Sequence, residues 1–137
     1  MRHDQPVEVT VLSAFGLDQT DRFVQFETEF GTVTARWHGD AAGPGDYSVE
    51  FALERGRLRW GYDLCPATAQ DPAIYERGGK VVMCGLLEVA ADGDVNLRLG
   101  NSITMLGQVE GLPMVGAGVW AELLVDRDDL VLYPYDS

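Results

Sequence analysis

Apolar and polar residues alternate with a period of two along most of the chain, and this restricts it to a fold built from half-buried strands. Val7, Val9 and Val11 alternate with Glu8 and Thr10. Val24, Phe26, Thr28 and Phe30 alternate with Gln25, Glu27 and Glu29, and Val33, Ala35 and Trp37 take up the pattern after Gly31. Gly31 is expected to break or bulge one long strand region there. Tyr47, Val49, Phe51 and Leu53 form a further run. With Leu58, Trp60, Tyr62 and Leu64 beyond Arg55-Gly56, it reads as a hairpin with one apolar face that includes Trp60 and Tyr62.

The second half of the chain repeats the signal. Lys80 to Ala90 reads as a long strand around the apolar run Val81 to Leu87, and Asp92-Gly93 is a two-residue hairpin signal. Val95, Leu97 and Leu99 alternate up to a turn at Gly100-Asn101, followed by Ile103 and Met105. Val115 to Val125 and Leu130 to Tyr133 are the last strands expected, with Pro134 ending the latter. One short helix is expected near 71–77, with Asp71 as cap, Pro72 at its first position and Gly78-Gly79 as its stop. Strands in this order around one helix suggest an all-β, mostly antiparallel domain: an OB-like small barrel, or a sandwich. The 137 residues fit a single domain, 1–137, with residues 1–6 a polar, disordered tail.

Ten Lys and Arg against 22 Asp and Glu give a formal charge of −12. A field of that sign repels polyanions and anionic lipid and attracts basic partners. Nucleic acid and membrane are therefore disfavoured, and a basic protein is the expected partner. Glu27 and Glu29 should project together from one strand, and Asp126, Asp128 and Asp129 cluster at a turn. These five are the candidate partner-binding residues. The alternative face is the basic set Arg36, Arg55, Arg57 and Arg59, which with interleaved aromatics could serve a small ligand or a single strand of nucleic acid.

Chemistry is poorly provided for. There is no G-x-S-x-G, the only imidazoles are His3 and His38, and Cys65 and Cys84 lack zinc-type spacing. No catalytic residue, metal or cofactor is assigned, and a non-enzymatic role is expected. The thiols are expected to be reduced. With a polar N-terminus and no apolar run long enough to span a bilayer, a cytoplasmic location is expected.

The run Gly45-Asp46-Tyr47-Ser48-Val49-Glu50, the segment up to Trp60-Gly61 and the C-terminal Leu132-Tyr133-Pro134-Tyr135 resemble small acidic bacterial proteins of the immunity type. The resemblance implies a module that binds a basic toxin and inhibits it. It carries no family residues onto this chain.

Overall fold

The computed structural model describes residues 6–16, 22–39, 43–54, 56–113 and 118–135. Its elements are thirteen strands: β1 (Val7–Gly16), β2 (Arg22–Thr28), β3 (Gly31–Trp37), β4 (Gly45–Leu53), β5 (Leu58–Arg59), β6 (Leu64–Pro66), β7 (Ala73–Arg77), β8 (Lys80–Val89), β9 (Val95–Leu99), β10 (Ser102–Gly107), β11 (Val109–Glu110), β12 (Trp120–Asp126) and β13 (Leu130–Pro134). Of the expected tail, residues 1–6, only Pro6 is among the described residues, and it is exposed.

Five strands close into a barrel. β1 pairs antiparallel with β2, β2 with β3, β4 with β13 and β1 with β4, and β3 pairs in parallel with β13. Taken in chain order, the barrel strands run one-two-three-five-four and back to one, the order of an OB barrel. The all-β expectation is therefore met by a barrel whose fourth and fifth strands are separated by residues 54–129. Most of that intervening segment forms a second run of strands, β10-β9-β8-β12-β6, with β7 also on β8. It joins the barrel where Met105 of β10 meets Ala52 of β4. One cluster of buried apolar residues passes from Val9, Phe26 and Phe51 to Leu97 and Leu123, so barrel and second sheet share one core.

Three expectations are corrected. No helix forms at 71–77. Residues 73–77 are β7, paired with β8 from Ala73↔Cys84 to Arg77↔Lys80. Gly78 and Gly79 take φ of 59° and 79°, which makes them the two-residue loop of a hairpin, not a helix stop. The alternation of buried Ile74 with half-exposed Tyr75 fits a strand better than the capping signal fits a helix.

Nor do 47–53 and 58–64 form a hairpin. Both edges of β4 are occupied, by β1 and β13, and β5 pairs in parallel with β11. The alternation after Leu58 is broken by a turn in which the amides of Tyr62 and Asp63 donate to the carbonyl of Arg59. Tyr62 consequently points to solvent, 68% exposed, and Trp60 is only partly buried.

Gly31 does not bend a continuous strand. The chain reverses at Glu29-Phe30, with Thr28 opposite Gly31. The Thr28 hydroxyl accepts from the Phe30 amide at 2.9 Å and donates to the Gly31 carbonyl at 3.2 Å. β7 then crosses this turn, the Ile74 amide donating to the Phe30 carbonyl at 3.0 Å. Gly31 has φ 146°, and a Cβ there would lie 1.8 Å from the Ile74 carbonyl oxygen. Glycine is required by space as well as by conformation.

Gly31→Ala is therefore expected to destabilise the protein by ~2 kcal/mol or more, measured as a lower urea midpoint with unchanged slope. Gly56→Ala, with open space around it, is the control and should shift stability by no more than ~0.5 kcal/mol.

Candidate functional site: an acidic cleft on the barrel

Inward-facing Val7, Val9 and Val11 of β1 and Val24 and Phe26 of β2 fill the barrel, so Glu8, Thr10, Gln25 and Glu27 face outward. Register does the rest. Thr10 lies opposite Glu27 on one side and opposite Asp46 on the other, and Glu8 lies opposite Ser48. Thr10 Oγ1 donates to Asp46 Oδ1 at 2.8 Å, and Ser48 Oγ donates to Glu8 Oε2 at 2.5 Å. The β2–β3 turn adds Glu29.

The outcome is an open cleft of about 420 Å³ lined by Glu8, Val9, Thr10, Glu27, Thr28, Glu29 and Asp46. A smaller hollow of about 300 Å³ shares Glu8 and Glu29 with it and adds Pro6, Val7, Phe30, Asn101 and Ser102. Hydroxyls hold two of the four carboxylates in place. No ion pair neutralises Glu27 or Glu29 among the described residues. Carboxylates crowded on neighbouring strands repel one another, so the arrangement suits a bound positive charge.

The five acids singled out from sequence divide between two places. Glu27 and Glu29 lie in the cleft. Asp126, Asp128 and Asp129 occupy the β12–β13 turn, next to the far end of β4, where the Glu54 amide donates to the Asp129 carbonyl. Asp46 and Leu53 are seven positions apart on β4, ~23 Å at the rise of a strand. Asp126 also forms an ion pair with Lys80 at 2.7 Å. The turn therefore forms no part of the cleft. Sequence reasoning missed Glu8 and Asp46 as cleft residues. Their outward parity was readable, but their closeness to Glu27 depends on β1 lying between β2 and β4.

The described members of the basic set have partners of their own within the chain. Arg36 Nη2 is held 2.8 Å from Glu54 Oε1. Arg57 lies 3.9 Å from Glu110, and the Arg59 guanidinium stacks 4.3 Å from the centre of the Tyr62 ring. Arg55 lies outside the described residues. Arg36 sits on the barrel, while Arg57 and Arg59 lie at the small β5–β11 pair.

Comparison with protein-family profiles, with curated proteins and with solved structures finds no match to this chain. The reading of the site rests on its own geometry.

Other reactive groups are placed as follows. The ring of exposed His38 stacks on Tyr133 with centroids 4.4 Å apart. The Tyr133 hydroxyl donates to Glu54, and that bond, with some burial and the negative charge of Glu54, holds the phenol above its ordinary pKa. Both cysteines are free thiols, placed on either side of Glu122 in adjacent strands. Burial above all, then Glu122 and Asp71, raises the pKa of Cys84. Among the described residues no three His, Cys, Asp or Glu side chains are placed to hold a metal ion, and no helix is long and apolar enough to cross a membrane.

Two measurements follow from these placements. With iodoacetamide, half-buried Cys65 should be alkylated while Cys84 reacts only on unfolding, because the thiolate is the nucleophile and its formation at Cys84 is opposed; equal rates by mass spectrometry would contradict the burial. In ultraviolet titration, a tyrosine ionisation above the ordinary phenol range should belong to Tyr133 and should move back toward that range in Glu54→Gln. Its folded pKa is raised, so the stability it contributes is complete below about pH 10 and is lost as pH climbs through the folded value.

Proposed function

We propose that this chain is a protein-binding module whose barrel cleft, walled by Glu8, Glu27, Glu29 and Asp46, takes a cationic segment of a basic partner protein. One observation carries the reading: four carboxylates converge on one open cleft, and none of them has a neutralising cation among the described residues. The chain's charge of −12 extends the same preference to long range, where it steers and accelerates encounter with a basic protein. Arginine or lysine side chains of the partner would replace the missing counter-charges, and the hydroxyls of Thr10 and Ser48 keep Asp46 and Glu8 oriented for them.

The resemblance to immunity-type proteins fits this chemistry. In that form of the proposal the partner is a basic toxin, the complex forms in the bacterial cytoplasm, and binding inhibits the toxin by covering its surface. No cofactor and no catalytic step is required of this chain. Binding to single-stranded nucleic acid would need an uncommitted basic groove with stacking aromatics. Arg36, Arg57 and Arg59 are instead committed to Glu54, Glu110 and Tyr62.

The test is an NMR titration of the labelled protein with an Arg/Lys-rich peptide. Shifts should concentrate at Glu8, Thr10, Glu27, Glu29 and Asp46 and weaken as salt is raised from ~50 to ~200 mM, because the pairing is electrostatic. The double variant Glu27→Lys/Glu29→Lys should abolish the localised response. It should also melt at a higher temperature than the parent at low salt, since removing like-charge repulsion favours the fold while removing function. Shifts spread over the whole surface, or centred on Asp126 to Asp129, would refute the cleft as the binding site.

A further inference from the structure

We infer that Phe30 is a positioning residue: clamped by the second sheet, it holds Glu29 in place as one wall of the barrel cleft. This rests on the cleft being the site of a cationic segment, as proposed, and adds what fixes one of its carboxylates. The other three sit on strand bodies, Glu8 on β1, Glu27 on β2 and Asp46 on β4. Ladder pairing sets their backbone, and the hydroxyls of Ser48 and Thr10 orient Glu8 and Asp46. Glu29 has neither support. It stands in the short turn between β2 and β3, and its side chain has no hydrogen-bond partner among the described residues. A side chain on an exposed turn is placed only as well as the turn itself is fixed.

The turn is fixed through Phe30. Its amide donates to the Thr28 hydroxyl at 2.9 Å, and its carbonyl accepts from the Ile74 amide of β7 at 3.0 Å. Its ring packs against the shared core and reaches the β9–β10 turn. A Cβ on Gly100 of that turn would lie 2.8 Å from Phe30 Cζ, so the ring fills the space that any other residue at 100 would need. The same Cβ would lie 3.8 Å from Glu29 Oε1, so the Glu29 carboxylate also rests beside this turn.

The clamp therefore comes largely from β7 and the β9–β10 turn, both in the segment between β4 and β13. None of the residues lining the larger cleft belongs to that segment. The second sheet thus shapes the cleft without contributing an acid to it. Its effect is one of preorganisation: a carboxylate already held loses less conformational freedom when a cation arrives.

The experiment is a double-mutant cycle on the full chain, with the Arg/Lys-rich peptide as ligand and Kd read by NMR titration at ~50 mM salt. Glu29→Gln should weaken binding ~2- to 5-fold, the scale of one exposed ion pair. Phe30→Leu keeps apolar bulk on the core but gives up the reach to Gly100, and should weaken binding to a similar extent. The double variant should lose no more than either single one, because Phe30 acts through Glu29. Gly100→Ala, at a position that lines neither hollow, should reproduce Phe30→Leu, and it replaces that variant in the cycle if thermal melts show Phe30→Leu unfolded. Peptide-induced shifts at Glu27 and Asp46 should persist throughout. Parent-like affinity in Phe30→Leu overturns the inference. So do losses that multiply in the double variant, which would mean that Phe30 touches the peptide itself or supports the whole cleft. Both outcomes leave the cleft as the binding site. A parent chain that does not bind the peptide at the cleft overturns that reading, and this inference with it.

Discussion

Everything that matters in this molecule depends on β13 lying between β3 and β4. This last strand pairs in parallel with β3 through Val131 and Leu132, and antiparallel with β4 along its whole length. Its Leu130, Val131 and Leu132 are all but completely buried. Parallel pairing of strands so far apart in sequence gains nothing from local turns, and its loop-closure cost is met only when the core forms. The second sheet lowers that cost. It folds residues 54–129 back so that β12 delivers the chain to the start of β13 beside the end of β4. The closed barrel then places β1 between β2 and β4, and this placement brings four carboxylates to one cleft.

The electrostatics follow the architecture. On the second sheet, Arg98, Arg77 and Lys80 each meet an acid, Glu88, Glu122 and Asp126. Around the barrel cleft the acids are not matched, and Glu27 and Glu29 are left uncompensated among the described residues. Natural surfaces place like charges together at a small cost in stability, and such a cost persists where binding requires it.

Much of the fold was legible because period-two alternation is a direct imprint of a half-buried strand. β2, β3, β4, β9 and β13 all lie where the alternation places them. The turn at Gly100-Asn101 sits where turn chemistry puts it, and the one at Asp92-Gly93 is in place but one residue longer, running over 91–93 between Ala90 and Asp94. Errors arose where a local signal had two physical meanings. Asp71-Pro72 followed by Gly78-Gly79 can bracket a helix or precede a glycine hairpin, and the pairing of β7 with β8 decides between them. Gly31 can bulge a strand or complete a tight turn, and the passage of the Ile74 backbone over it settles which. The cleft was half legible. Glu27 was singled out for its outward parity, and Glu29 was placed beside it. Glu8 and Asp46 became partners of Glu27 only through barrel closure, and Asp126, Asp128 and Asp129 were set apart from them by the same closure. Strand neighbours of that kind are a property of topology, not of any window of sequence.

The most direct test of this account is native-state hydrogen exchange on the amides that hold β13 and the turn leading into it. The His38 amide, just past the end of β3, donates to the Leu132 carbonyl of β13, and the Glu54 amide, just past the end of β4, donates to the Asp129 carbonyl of that turn. If β13 closes the barrel, both should exchange only through global unfolding, with the same free energy as the core amides of β2 and β4. If they exchange at the rate of exposed loops while β2 and β4 stay protected, the barrel is open, and the cleft is not held together by the closure on which its chemistry depends.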